Sequence, residues 1–232
     1  MNIVAISAGL SEESTTSKLA QRLLTATTSA LSSDRGLETD GIAKISSEIL
    51  ELRTIAHGIM DALLTGFAVG DTEAALEKVA NADGLIIVTP LYTTTYSGLL
   101  KCFIDILAGS DPSNSPIRDI PTLLAATGGT PRHSLALDYS LRPLFSYLHA
   151  DVLSTVVFAA TDDWAGTGDK VRPLTSRIDR AGKELASAML RTAARNVDLP
   201  DANATSSGIK NKKPANPFEN TPTFEQLFNQ LQ

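Results

Sequence analysis

The chain reads as an α/β protein, a three-layer α/β/α sandwich around a five-stranded parallel sheet, and three observations predict it. Short apolar segments alternate with longer amphipathic ones along residues 1–198. The apolar segments are rich in β-branched residues, as in Gly84-Leu-Ile-Ile-Val88. Two of them stop abruptly, at Thr89-Pro90 and at Gly128-Gly129. Strands alternating with helices make βαβ units, and such units build a parallel sheet buried on both faces.

The elements follow in order. Residues 3–7 form the first strand. Over 15–31, Leu19, Ala20, Leu23 and Leu24 recur at helical spacing. Residues 45–52 alternate apolar and polar as a second strand, and 56–64 and 72–80 read as helices. Residues 85–89 are the third strand and 97–108 its helix. The fourth strand covers 122–127, a helix is expected over 135–148, the fifth strand over 155–160, and a last long helix over 174–196. For five strands the natural order is 2-1-3-4-5, with a switch point beside strand one, where open α/β sheets bind ligands. Beyond the domain of residues 1–198, the stretch 199–222 is rich in Pro, Asn, Ser, Thr and Lys and reads as an extended linker. Phe224, Leu227, Phe228 and Leu231 then fall on one stripe of a short C-terminal amphipathic helix, within a tail of residues 199–232.

Composition narrows the classes. At 232 residues, with 43% hydrophobic, the chain has material for a full core. A formal charge of −6 with scattered basic residues argues against a nucleic-acid binder. The single cysteine, Cys102, excludes an internal disulfide or a cysteine-rich metal site and reads as a buried, inert thiol. His57, His133 and His149 stand alone without metal-ligand spacing. The first strand starts at once, with no basic segment or long apolar run before it, so a cytoplasmic protein without a membrane anchor is expected. No Gly-x-Ser-x-Gly elbow accompanies the Ser, His and Asp residues, which disfavours a hydrolase triad.

Three loops are candidates to carry chemistry. Ser7-Ala-Gly-Leu-Ser-Glu-Glu-Ser-Thr-Thr-Ser-Lys18 joins the first strand to the first helix. Its small hydroxylated residues let the backbone curl, and the helix adds free N–H groups and the positive end of its dipole. That combination suits a phosphate monoester, although Ser14 or Thr15 can equally be read as a helix cap. It is neither a P-loop nor the dinucleotide fingerprint. The second loop, Thr89-Pro-Leu-Tyr-Thr-Thr-Thr-Tyr-Ser-Gly98, is stiffened by Pro90 and offers aromatic rings and hydroxyls to a planar heterocycle. In the third, Ala126-Thr-Gly-Gly-Thr-Pro-Arg-His-Ser-Leu-Ala-Leu137, adjacent glycines permit backbone approach to a flat ligand. Lys101, one turn beyond Ser97, reads as either a neutralising cation or a surface residue. Asp138 and Arg142 read as a helical i, i+4 ion pair. Trp164 is left between covering a ligand edge and filling a subunit contact.

Over residues 1–195 these loops, in this order, resemble the NADPH-dependent FMN reductases, a flavodoxin-like family. The segments Ala82-Asp-Gly-Leu-Ile-Ile-Val-Thr-Pro-Leu-Tyr92 and Ala125-Ala-Thr-Gly-Gly-Thr-Pro-Arg-His-Ser-Leu-Ala-Leu137 carry the resemblance most closely. The first loop departs from the family pattern: Ser7-Ala8-Gly9 replaces the usual Gly-Ser-Pro, and Thr15 stands where arginine is frequent. The resemblance implies FMN with NADPH or NADH as the cofactors. It assigns Ser7, Ser14, Thr15 and Thr16 to the phosphate. It assigns Pro90, Leu91, Tyr92, Thr93, Thr94 and Ser97 to the flavin ring and its pyrimidine edge. Thr127, Gly128, Gly129 and His133 fall in the third loop, His133 either meeting a nucleotide phosphate or packing at a helix start. It further implies an NAD(P)H-dependent FMN reductase without a catalytic side chain, working as a homodimer or homotetramer, with a flavin-dependent monooxygenase as a possible recipient. The alternatives are a flavodoxin-like FMN electron carrier, or a quinone or azo-compound reductase on the same fold.

Overall fold

A computed structural model describes residues 1–34, 45–109 and 114–198. The expected linker over 199–222 and the stripe Phe224, Leu227, Phe228 and Leu231 lie outside the described residues. The elements are β1 (Asn2–Ser7), α1 (Thr15–Asp34), β2 (Ser46–Glu51), α2 (Ala56–Thr65), α3 (Asp71–Ala80), β3 (Gly84–Tyr92), β4 (Thr95–Tyr96), α4 (Gly98–Ala108), β5 (Pro121–Gly128), α5 (Arg142–Tyr147), β6 (Asp151–Val152), β7 (Val157–Ala160), α6 (Thr161–Trp164) and α7 (Leu174–Asp198). Among the described residues no helix is long and apolar enough to cross a membrane.

Seven strands replace the five expected, and both extra ones have a local cause. The order is β2-β1-β3-β5-β6, with β7 also paired to β5 and β4 to β3. The expected fifth strand is one edge position occupied in two pieces: β6 pairs with Pro121 and Thr122, and β7 with Ala125 to Gly128. The order 2-1-3-4-5 therefore holds for the five parallel positions. β4 is a two-residue antiparallel return that extends β3 beyond the sheet.

Side chains hold the gap in the edge position open. Arg142 donates through Nη1 to the Leu153 carbonyl (2.8 Å) and through Nη2 to the Ser154 carbonyl (3.3 Å), while its Nε meets Asp138 Oδ1 at 3.0 Å. Glu184 Oε1 accepts from the Ser154 N–H (3.0 Å), the Ser154 hydroxyl (2.7 Å) and the Thr155 N–H (3.3 Å). These backbone groups would otherwise lack partners or invite another strand, so the clamp satisfies them and blunts the edge. The Asp138–Arg142 pair is present as the spacing predicted, and it does more than stabilise its own helix.

Two apolar clusters sandwich the sheet. One side packs Val4, Ile6, Leu85, Ile87 and Leu124 against Leu52, Ile59, Leu76, Phe103 and Phe145. The other packs Ile3, Ala5, Ile86, Val88 and Leu123 against Leu19, Leu23, Leu185 and Met189. Successive residues of β1 and β3 thus feed opposite cores, which explains why buried parallel strands read as unbroken apolar runs. Each fully buried large side chain contributes about 1.5–3 kcal/mol. α1 and α7 touch backbone to backbone, since a methyl on Gly182 would lie 2.8 Å from the Ala26 carbonyl carbon.

The helix expected over 135–148 is present but not regular. It begins as a widened π turn, Leu137–Leu141, and only then becomes α5. Pro143, in the first turn of α5, has no N–H to donate and its ring crowds the carbonyl four residues back, so the pitch changes just before it.

Candidate active site

Because β1, β3 and β5 are neighbours, the sheet brings all three loops to one edge. Ser7 lies level with Val88, and Pro90 with Thr127. The 8–14 loop leaves β1, is pinned at once by the Ala8 N–H to the Val88 carbonyl (2.9 Å), and closes on Ser14. Ser14 Oγ accepts from the Thr16 N–H at 3.1 Å, so the capping reading is correct, while the α1 terminus remains directed at the sheet edge. Gly9 makes the curl possible: a Cβ there would fall 2.2 Å from Ser14 Oγ.

The hydroxyls of this loop differ in what they are free to do. Ser7 is fully buried and hydrogen-bonds the Ser17 hydroxyl at 2.8 Å. Thr16 is also buried and meets the Thr127 hydroxyl at 2.9 Å, which ties the first loop to the end of β5. Thr15 is exposed at the first position of α1. Glu12 and Glu13 are exposed, and Glu12 reaches toward Arg53 (3.9 Å), so neither carboxylate burdens an anion at the helix terminus. Ser17 was not singled out by the sequence, because nothing in its type marks the bond to Ser7.

The second loop is a β-hairpin. Leu91 pairs with Tyr96 and Tyr92 with Thr95, leaving Thr93 and Thr94 as a two-residue turn. Both have positive φ, 49° and 69°, which makes this a type I′ turn built from two β-branched residues instead of Asn-Gly. Left-handed geometry costs roughly 1–2 kcal/mol for each such residue. Strain of this kind clusters at functional sites. At the base, Thr89 is fully buried; its hydroxyl donates to the Pro90 carbonyl (3.0 Å) and accepts from the Ser97 N–H (3.0 Å). Ser97 caps α4 by accepting from the Leu100 N–H at 3.2 Å. Pro90 is buried, Leu91 half-buried, and Tyr92 stands 48% exposed with Thr93 and Thr94 beside it.

In the third loop Gly128 lies against the Phe158 ring, where a methyl would come within 2.8 Å. A methyl on Gly129 would meet nothing within 4 Å, as would one on Gly98 at the head of α4. The backbone at these glycines is therefore open to a flat ligand. His133 sits half-buried on the short turn Pro131–His133, with Thr130 accepting from the Arg132 N–H at 3.4 Å. Lys101 is held by Asp105 at 2.6 Å on the α4 surface, and that hydrogen bond raises its pKa. It is a surface pair, as the second of its two readings had it. Trp164 lies beneath the Arg22 guanidinium, 5.0 Å from its ring centroid, while Arg177 binds Asp163 and the Phe158 carbonyl and so fixes the corner after β7. An open groove between α1 and α7, lined by Gln21, Thr25, Ile178 and Lys183 among others, contains none of the loop residues.

Taken together, the sheet edge offers hydroxyl and N–H donors at a helix terminus, a rigid aromatic hairpin and an exposed glycine backbone. These features fit a phosphorylated, planar heterocycle such as FMN. Among the described residues no group of three or more His, Cys, Asp or Glu side chains is placed to hold a metal ion.

Comparison with known proteins gives the family. The family model for NADPH-dependent FMN reductases matches residues 1–165. An NADH-dependent FMN reductase of Pseudomonas fluorescens is 36% identical over 186 residues, covering 80% of this chain and 90% of the relative. An FMN reductase (NADPH) of Pseudomonas aeruginosa is 34% identical over 184 residues, covering 79% and 90%. The crystal structure of an oxidoreductase from Corynebacterium diphtheriae superposes with a TM-score of 0.72 at 38% identity, covering 82% of this chain and 97% of that one. The chain therefore belongs to the NADPH-dependent FMN reductase family.

Proposed function

We propose that the protein is an NAD(P)H-dependent FMN reductase whose site is the β1–β3–β5 sheet edge. The observation that carries this is the convergence of the three loops, the first and third of them joined by the Thr16–Thr127 hydrogen bond. These residues would hold FMN, and the chemistry it would supply there is acceptance of a hydride from a reduced nicotinamide and delivery of the electrons to an acceptor, or release as reduced flavin. Ser14, Thr15 and Thr16 donate to the phosphate with the N–H groups of the α1 terminus, and Ser7 supports them through Ser17. Pro90, Leu91, Tyr92, Thr93, Thr94 and Ser97 fix the ring plane, and the hairpin excludes water from one side. Thr127, Gly128 and Gly129 would present backbone to the flavin, and backbone N–H groups aimed at it would favour negative charge on the ring. His133 stands at the rim, within the reach of a dinucleotide's phosphates. No side chain has to give or take a proton, so the protein's task is positioning.

The relatives are named for different nicotinamides, and both NADPH and NADH remain donors in this reading. The assay is purified protein with FMN and each nucleotide in turn, following nucleotide oxidation with and without excess flavin. Stoichiometric oxidation without excess flavin and catalytic oxidation with it support a shuttled substrate; no oxidation of either nucleotide overturns the assignment. The paired substitution Ser14→Ala/Thr16→Ala removes two hydroxyl donors to a charged group, each worth roughly 1.5–3 kcal/mol, and should weaken FMN binding at least tenfold.

The same reading includes a cytoplasmic homodimer or homotetramer that supplies reduced flavin to a partner such as a monooxygenase. Met60 and Leu64, one turn apart on α2 and 46% and 81% exposed, support assembly, because exposed apolar surface marks contact sites. Light scattering at the monomer mass of 24.6 kDa, with activity intact, would remove the oligomer from the proposal.

A further inference from the structure

Nothing in the residue types of the β3–β4 hairpin favours the conformation of its tip. Thr93 and Thr94 are β-branched and lie consecutively in the left-handed region, φ 49° and 69°. Such a turn persists only where its surroundings over-determine it. The ladder pairs Leu91–Tyr96 and Tyr92–Thr95 and the bond from the Ser97 N–H to Thr89 Oγ1 hold the stem and base. Directly after the tip, the Thr95 hydroxyl meets the Ser140 hydroxyl at 2.7 Å, and this bond crosses to another element. Ser140 belongs to the π turn Leu137–Leu141, where the widened pitch redirects side chains from their α-helical positions. That turn follows the 128–133 loop in the chain, so the hydroxyl pair ties the second loop to the segment that leaves the third.

We propose that Ser140 is a positioning residue. Its bond to Thr95 holds the strained turn in place and thereby sets Tyr92 as a fixed wall of the flavin ring site. Ser140 acts through the hairpin. Without it the tip relaxes, Tyr92 loses its orientation, and ring binding weakens while the phosphate loop is unaffected. The ligand in this inference rests on the FMN reading; the hold on the turn does not.

The test uses the full-length protein and five variants: Ser140→Ala, Thr95→Val, the double variant, and the hydroxyl-preserving Ser140→Thr and Thr95→Ser. In flavin-free protein, hydrogen exchange at the amides of residues 92–96 should accelerate about two- to tenfold in Ser140→Ala and in Thr95→Val, the range of one net hydrogen bond. The hydroxyl-preserving variants should exchange like the parent. With FMN added, the dissociation constant should rise by a similar factor of about two to ten in each single variant, and by no more in the double variant, because both remove the same bond. Quenching of the bound flavin's fluorescence should weaken in parallel, whereas a purely structural role would leave it unchanged. Unchanged exchange in Ser140→Ala and Thr95→Val overturns the proposal, as does a double variant whose loss is the product of the single losses. If exchange responds as expected but the parent binds no FMN, the hold on the turn stands and the cofactor assignment falls.

Discussion

Replacing Thr93-Thr94 by Asn-Gly should make the protein more stable and a poorer flavin binder. Both threonines occupy positive φ in a two-residue type I′ turn, where Asn and Gly sit with little strain. At roughly 1–2 kcal/mol for each left-handed residue, the turn stores about 2–4 kcal/mol. Part of that gain is offset because Gly at position 94 enlarges the unfolded ensemble, by about 0.4–1 kcal/mol. A net gain of about 1–3 kcal/mol remains, which for a domain of this size raises the melting temperature by about 2–4 °C per kcal/mol. Thermal unfolding of the flavin-free protein followed by circular dichroism measures it directly. FMN titration of the same variant then reads the other half of the argument: if the threonines are retained for their ligand contacts, affinity falls while stability rises, a familiar exchange at functional sites. A melting temperature that is unchanged or lower refutes the strain. A higher melting temperature with undiminished FMN affinity refutes the functional reason for it.

Two further outcomes follow from the same geometry. Gly9→Ala places a methyl 2.2 Å from Ser14 Oγ, so Ser14 must move and the cap on the Thr16 N–H is lost. Urea unfolding should show about 2–4 kcal/mol of lost stability from overpacking and the broken cap, with weaker FMN binding, and a loss below about 0.5 kcal/mol would show that the loop yields freely. For Glu184, partial burial alone would push the carboxyl up, but hydrogen bonds from Thr155 and Ser154 outweigh it and hold the pKa below the ordinary value. A lowered folded-state pKa means that the clamp's contribution is present above the ordinary glutamate range and is lost as pH falls through the folded value. The acid side of a melting-temperature profile should therefore be flatter in Glu184→Gln than in the parent; identical slopes would mean that the clamp does not titrate with folding.

Much of the fold was legible because burial on both faces of a parallel strand leaves a plain mark. Ile3 to Ile6, Leu85 to Val88 and Leu123 to Ala126 are all buried, and all read as short apolar runs. The split of the edge position was not legible. It depends on Arg142 and Glu184 meeting across the fold at Leu153 to Thr155, and long-range side-chain capture has no local signature. Pro143 did carry a signal that the helix over 135–148 would change pitch, although it does not say that the preceding turn widens to π. The loops were located correctly as segments because Thr-Pro, Gly-Gly and a hydroxyl-rich stretch punctuate strand ends. Their internal geometry was hidden: two consecutive threonines are the wrong residues for a type I′ turn, so propensity pointed away from the hairpin that forms.

That failure of local propensity is informative in itself. Where sequence and conformation agree, as in β1 and β3, the chain is building the sheet, and many residues of similar size and hydrophobicity would serve. Where they disagree, as at Thr93-Thr94, the surroundings must supply what the residues do not, and here they do so through Thr89, the ladder pairs and the Thr95–Ser140 bond. Hydroxyls recur throughout this edge for a shared physical reason. A serine or threonine can both donate and accept, so one residue can brace its neighbour and still face a ligand. Ser14, Thr16, Thr89 and Ser97 each hold a backbone amide or a second hydroxyl in the absence of any charged group. A site assembled in this way needs no cluster of arginines or histidines to offer donors to an anion and a surface to a planar ring, and composition alone therefore gives no sign of it. Its chemistry resides in where the sheet order β1–β3–β5 places ordinary residues.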